Sequence, residues 1–232
     1  QVLLLPQAAE ALAGRMEVLA LWPLAQEEIA GSRAEVVDRL FAPTLDWPHG
    51  TESRVEVLQR ALRGGYPEVL QRSAAARRAA WFNSYLTTIL QRDVRDLAQI
   101  EGLSALPRLL QLLAARAGGL LNVADLSRGS GLAQTTLKRY LALLEMTFLV
   151  QLVPPWSGSL SRRLVRSPKV YLADSGLLGH LLGLDERSLS TANPLLGQLL
   201  ESFAVMELHR QVTWSTTTPR LMHFRTHAGQ EV

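Results

Sequence analysis

Between residues 103 and 153 leucines recur every three or four positions in two runs, and glycine turns cut the runs apart. Leu106, Leu109, Leu110 and Leu113 share one face of a helix read over residues 103–117, which Gly118-Gly119 ends. Asn122 can cap a short helix over 123–128, because a side-chain oxygen there accepts from a free first-turn N–H. Gly129-Ser130-Gly131 then makes a turn, and Leu137, Leu141 and Leu144 give the inward stripe of a helix over 134–146. Residues 148–153 are strand-like. Helix, helix, tight turn, helix and strand is the order of a winged helix-turn-helix, with its wing after the last helix.

The flanks give weaker signals. Residues 16–21 alternate loosely before Trp22-Pro23 and predict a short buried strand, the end of a sheet-bearing unit. Ser32 and Glu35 have capping-box spacing and open a helix to about residue 41. Thr51 is placed to cap a helix bearing Val55, Leu58 and Leu62, which Gly64-Gly65 terminates. A long helix is predicted over 74–97 with Phe82, Leu86, Ile89 and Leu90 along one side. Further on come a strand at 170–173, a helix at 175–182, a helix at 195–210 that is apolar almost all round, and a strand at 221–224.

Composition narrows the function classes. The 232 residues are 47% hydrophobic and 19% charged, which fits a folded globular chain and excludes a disordered or collagenous one. Cysteine is absent, so no disulfide, thiol nucleophile or Cys-ligated metal can occur, and a reducing cytoplasmic location is expected. No apolar run reaches the ~20 residues of a membrane span. The first residues lack a basic flank, a cleavage site and an initiator Met, so a chain that begins mid-protein is expected. Residues 61–145 hold eleven bases against six acids, whereas residues 1–60 hold five against nine. The basic surplus lies with the helical middle.

Catalytic signatures are missing: there is no phosphate loop, no Gly-x-Gly-x-x-Gly, no nucleophile elbow and no His-Glu-x-x-His. His223 and His227 straddle a strand end and a glycine, where a spacing of four does not bring side chains together. Off the leucine stripe of the 134–146 helix lie Gln134, Thr135, Lys138 and Arg139, residue types that contact base edges and phosphates. Two readings stand side by side, DNA contact or the solvated face of a packing module. Arg162, Arg163 and Arg166 extend the DNA-contacting candidates beside the wing. Glu201 and Glu207 sit on the apolar 195–210 helix and each needs a partner, either a metal or an Arg such as Arg210 or Arg225.

Eight short motifs occur together and in order: Leu12-Ala13-Gly14-Arg15, Leu21-Trp22-Pro23-Leu24 with Glu27-Glu28, Gly64-Gly65-Tyr66-Pro67-Glu68, Arg92-Asp93-Val94, Arg139-Tyr140-Leu141, Lys169-Val170-Tyr171, Asp174-Ser175-Gly176-Leu177 and Glu201-Ser202-Phe203. In this the whole chain resembles a prokaryotic AAA-type ATPase family fused to a C-terminal domain of unknown function. The resemblance implies a mainly α protein with some β. Its expected parts are the end of an AAA-type core (residues 1–43), a helical lid (44–100), a winged helix (101–155) and an incomplete restriction-endonuclease-like domain (156–232). It further implies that Gly65, Tyr66 and Pro67 border a nucleotide site in the parent protein, and that Glu201 is a catalytic, metal-binding acid. ATP and Mg2+ are then cofactors of the parent, none is expected for this chain alone, and the isolated chain is expected to be inactive. Duplex DNA is the expected partner, no membrane is, and oligomerisation stays open. The alternative is a non-enzymatic winged-helix regulator or adaptor whose nuclease-like part is degenerate.

Overall fold

The computed structural model describes residues 19–32, 35–44, 50–93, 103–158, 166–190, 193–226 and 230–231. The protein is mainly α with a small antiparallel sheet. In chain order the helices are α1 (Gln26–Ile29), α2 (Val36–Leu40), α3 (Arg54–Arg63), α4 (Pro67–Leu70), α5 (Ala75–Thr88), α6 (Leu106–Ala114), α7 (Val123–Ser130) and α8 (Gln134–Met146). Strands β1 (Val150–Val153) and β2 (Lys169–Leu172) follow, then α9 (Ser175–Leu181) and α10 (Leu195–Val212). No helix among the described residues is long and apolar enough to cross a membrane.

The leucine pattern becomes packing directly. Leu106, Leu109, Leu110 and Leu113 of α6 and Leu137, Leu141 and Leu144 of α8 are all buried, and they meet Leu126 of α7 in one core that extends through α3, α5, α9 and α10. Asn122 caps α7 as expected, its side-chain oxygen accepting from Asp125 N–H at 3.0 Å. Gly131 ends that helix at φ 75°, a left-handed conformation that glycine adopts without a Cβ clash. β1 pairs with β2 in the register Val150↔Leu172 to Val153↔Lys169. The 118–120 segment lies on the other edge of β2, with Gly118 N–H donating to Val170 at 2.8 Å and a bridge from Leu120 to Lys169.

Several local expectations are corrected. Glu35, not Ser32, stands before α2, and Ser32 instead donates its hydroxyl to the Glu27 carbonyl. Ser53 caps α3 in place of Thr51, forming a reciprocal box in which Glu56 accepts from Ser53 N–H at 2.7 Å. Ser53 wins because Glu56 lies three residues further on. The long helix stops being α-helical at Thr88 and continues as a π turn, Ile89–Asp93; its remaining residues, 94–97, lie outside the described residues. Residues 16–18 of the first expected strand also lie outside, and 19–21 form no regular element, with Leu19 and Leu21 exposed, so no buried strand stands at 19–21. Residues 221–224 form only an isolated bridge, Pro155↔His223, because one bridging pair joins them to the preceding loop rather than a ladder.

The elements on either side of this core meet at a buried ion pair. Asp174 is fully buried, caps α9 through Leu177 N–H (3.0 Å), accepts from Gly65 N–H (2.7 Å) and pairs with Arg210 at 3.1 Å. Arg210, itself buried on α10, also donates to the Leu24 carbonyl (3.1 Å), the Ala173 carbonyl (3.3 Å) and Glu207 (2.7 Å). A Cβ on Gly64 would overlap the Asp174 carboxylate, and one on Gly65 the Leu24 carbonyl. Both glycines are therefore required by close approach. Removing one member of such a pair strands the other charge, so Asp174→Ala is expected to lower stability by about 3–5 kcal/mol, read from urea unfolding. A loss under about 1 kcal/mol would show that water relieves the stranded Arg210.

Candidate functional site

The exposed face of α8 is set by its neighbours rather than by its own cap. Ala133 stands at the N-cap and offers no side-chain hydrogen bond, as its identity dictates. The turn before it is fixed by Ser127, whose hydroxyl donates to the Leu132 carbonyl at 2.6 Å, and by Ser130, which donates to Leu126 at 2.7 Å. Arg116 at the end of α6 reaches Asp125 in the first turn of α7 through both Nε (3.0 Å) and Nη2 (2.8 Å). Arg116 lowers the Asp125 pKa, first by hydrogen bonding and then by charge. With the angle between helices so held, Leu137, Tyr140 and Leu144 point inward, and Gln134, Thr135, Lys138 and Arg139 are all exposed. The structure thus brings four of the predicted DNA-contacting residues onto one surface. Arg166 is exposed ahead of β2; Arg162 and Arg163 lie outside the described residues.

A second polar centre surrounds Glu201. Strand β2 alternates, so Val170 and Leu172 enter the main core while Lys169 and Tyr171 point the other way. Lys169 Nζ lies 2.9 Å from Glu201 and 2.6 Å from Glu231, and the Tyr171 hydroxyl donates to Glu201 at 2.9 Å. Arg225 approaches the other Glu231 oxygen at 3.4 Å. Burial works against the Lys169 charge, but its hydrogen bonds to Glu231 and Glu201 outweigh that and raise its pKa above 10.5. Burial and then Glu201 push the Tyr171 phenol far up, so it stays a neutral donor. The hydrogen bond from Lys169 holds Glu231 below the ordinary 4.5.

This arrangement does not fit a Mg2+ ion. As packed, Glu201 and Glu231 both answer the Lys169 ammonium, and Mg2+ demands near-octahedral oxygen coordination that these side chains do not offer. No group of three or more metal-ligating side chains occurs among the described residues. The partner of Glu201 is Lys169 rather than Arg210 or Arg225, whereas Glu207 does pair with Arg210 and also accepts Gln26 N–H at 2.8 Å. His223 is described and His227 is not.

Gly65, Tyr66 and Pro67 lie in the turn between α3 and α4. The Gly65 N–H is spent on Asp174, and Tyr66 packs against Trp81, Phe82 and Tyr85 with its hydroxyl 3.2 Å from that of Tyr85. Burial, then Tyr85 and Asp174, raise the Tyr66 pKa well above its ordinary value. Pro67 is exposed at the first position of α4. As packed, this turn presents no open cradle for a nucleotide, since the space above the glycines is filled by Asp174 and Leu24.

Sequence reasoning gave Lys169, Tyr171 and Asp174 no site role, whereas it named Arg210 as a partner for a carboxylate of its helix. The alternation of β2 was the available signal for the first two.

A family model described as a domain of unknown function, DUF8612, matches residues 54–188. Uncharacterized proteins of Mycobacterium tuberculosis and Mycobacterium bovis are each 35% identical over 201 residues, 87% of this chain and 40% of theirs. The chain thus spans about two fifths of the length of these curated relatives. No solved structure gives a significant match.

The Glu231 shift has a sign that can be tested. A carboxyl with a folded pKa below its unfolded value stabilises fully above the unfolded value, here 4.5, and loses that contribution as pH falls through the folded value. Glu231→Gln should therefore flatten the acid limb of a stability-against-pH curve below pH 4.5 and leave the Lys169 to Glu201 contact in place. Identical acid limbs in urea unfolding of the two proteins would mean that solvent already screens the pair.

Proposed function

The chain belongs to the DUF8612 family, and we propose that it carries a duplex-DNA-binding winged helix within a longer, ATP-dependent protein. One observation carries the DNA part: an uninterrupted polar edge, Gln134, Thr135, Lys138 and Arg139, on the third helix of a helix-helix-turn-helix unit followed by an antiparallel hairpin. In that geometry the first turns of the third helix enter the major groove, where amide and hydroxyl side chains reach base edges and basic ones reach phosphates. Lys138 and Arg139 supply the positive charge of that face, and residues 61–145 carry a modest surplus of bases over acids.

The ATP- and Mg2+-dependent part of the reading rests on the resemblance to AAA-type ATPases. In it the parent couples hydrolysis to an act on DNA or a protein partner, and the turn at Gly65–Pro67, in the expected lid, is tied to the 156–232 part through Asp174. A second reading, a non-enzymatic regulator or adaptor with a degenerate nuclease-like region, is favoured by Lys169 lying between Glu201 and Glu231. Both readings use the same α8 face.

Replacing Lys138 and Arg139 together by Ala is expected to weaken duplex binding to a similar degree for all sequences. The slope of log affinity against log salt should fall by roughly one to two. Fluorescence anisotropy of labelled duplexes across a salt series reads both quantities. Unchanged affinity and slope would return α8 to a packing role.

A further inference from the structure

A cleft of about 310 Å3 opens between the loop after β1, the approach to β2 and the segment around His223. It is lined among others by Trp156, Arg166, Ser167, His223, Arg225 and Thr226. Two crossing backbone bonds hold its walls together: Trp156 N–H donates to the His223 carbonyl at 2.7 Å, and His223 N–H donates to Pro154 at 3.0 Å. Of its lining only Arg166, a candidate duplex contact, enters the readings above.

Three features of its wall call for a ligand, and each calls for a different chemical group. Trp156 is half exposed and meets the edge of Phe224, itself exposed, at a centroid distance of 5.6 Å. A half-exposed indole is a surface on which a flat ring can stack. Arg166 is exposed and makes no ion pair among the described residues, while Arg225 keeps only the 3.4 Å contact to Glu231. Two guanidinium groups on one rim favour an anion with several oxygens.

His223 supplies the third requirement. It is 93% buried, and its Nε2 lies 3.3 Å from the Ser167 carbonyl. A carbonyl only accepts, so Nε2 carries the proton, and Nδ1 of the neutral ring is left as an acceptor. Burial lowers the His223 pKa, which keeps the ring neutral. Nδ1 is buried and has no hydrogen-bond partner among the described residues, an arrangement that native proteins rarely leave unanswered. The missing group is a donor.

A flat ring, an anion and a hydrogen-bond donor in one small ligand describe a nucleotide. We propose that this cleft is a single-stranded nucleic-acid site that seats one nucleotide, its base on Trp156 and its phosphate between Arg166 and Arg225. The volume lies at the small end of ligand sites, which suits one unstacked nucleotide and excludes a duplex. Aromatic faces beside basic side chains are how single strands are held without sequence preference. An acidic peptide would satisfy the arginines and leave Trp156 unused. The site is separate from the α8 face and shares only Arg166 with the duplex candidates.

The test uses the whole chain and a labelled oligothymidylate of roughly eight nucleotides, followed by fluorescence anisotropy. Trp156→Ala should weaken binding about 5- to 150-fold, and Trp156→Phe, which keeps a ring, should recover most of the loss. Arg166→Ala should reduce the salt slope by about 0.7, the value of one single-strand phosphate contact. The Lys138/Arg139 double variant should bind the oligomer as the native chain does, and Trp156→Ala should bind duplex as the native chain does. Failure of duplex binding alone therefore removes the α8 reading and leaves this one standing. Equal oligomer affinity for native, Trp156→Ala and Arg166→Ala chains overturns the proposal. Thymidine monophosphate binding as tightly as the oligomer overturns the strand in favour of a free nucleotide. Competition by polyglutamate as effective as that by unlabelled oligomer overturns it in favour of unspecific anion binding. Should Trp156→Ala fail to fold, the phenylalanine and Arg166 variants decide the matter.

Discussion

Asp174 and Arg210 form a pair that water does not reach, so every hydrogen-bonding position on the two side chains matters to the fold. The carboxylate serves the first turn of α9, the turn after α3 and the guanidinium; the guanidinium serves two backbone carbonyls and Glu207 in addition. Satisfaction is nearly complete, and Arg210 Nε is the guanidinium nitrogen without a partner among the described residues. A pair of this kind adds little net stability over an apolar replacement, but it penalises any arrangement in which one partner moves away. It therefore fixes where α3, α9, α10 and the segment at Leu24 sit relative to one another.

Glycine makes that closeness possible. α9 lies so near the end of α3 that a Cβ on Gly176 would come within 2.6 Å of the Arg63 carbonyl, and one on Gly179 within 2.8 Å of the Leu62 side chain. The motifs Gly64-Gly65-Tyr66-Pro67 and Asp174-Ser175-Gly176 are more than a hundred residues apart, yet they are two halves of one contact. Their co-occurrence in the sequence follows from packing, whatever else the turn does in a longer protein.

The parts legible in the sequence were those governed by local rules. The α6–α7–α8 unit announced itself through leucine spacing, the Asn122 cap and Gly131, and α8 spans the residues its periodicity gave. The exposed row from Gln134 to Arg139 followed from the same periodicity, since whatever is off a buried stripe faces out. Long-range polar pairing was not legible. Nothing near Glu201 in sequence marks Lys169 as its partner, because the contact is made by a strand 32 residues away whose alternate residues face that way. Caps were half legible: Thr51 and Ser53 are equally good side chains, and only the Glu three residues after Ser53 separates them. The weak strand signals failed for want of a ladder at 221–224 and at 19–21, the described part of 16–21, since sequence alternation cannot supply one alone.

Strand β2 shows how four residues can divide a protein between structure and chemistry. Its odd-numbered pair, Lys169 and Tyr171, holds Glu201; its even-numbered pair, Val170 and Leu172, closes the core beneath α6 and α8. Lys169 also bonds Glu231, which in turn touches Arg225 on the wall of the Trp156 cleft. The cleft is thus joined, through one carboxylate and one ammonium, to the strand that supports the helical unit. The contacts run without a gap from Arg225 to Glu231 to Lys169, and from the Lys169 backbone to Leu120 in the segment before α7. Contiguity of that kind is a route for coupling and not yet coupling itself, since β2 would need two arrangements for the cleft to bias. The pairing of β2 on both edges, with β1 and with the 118–120 segment, opposes a second arrangement, so the strand acts as a fixed support for both surfaces.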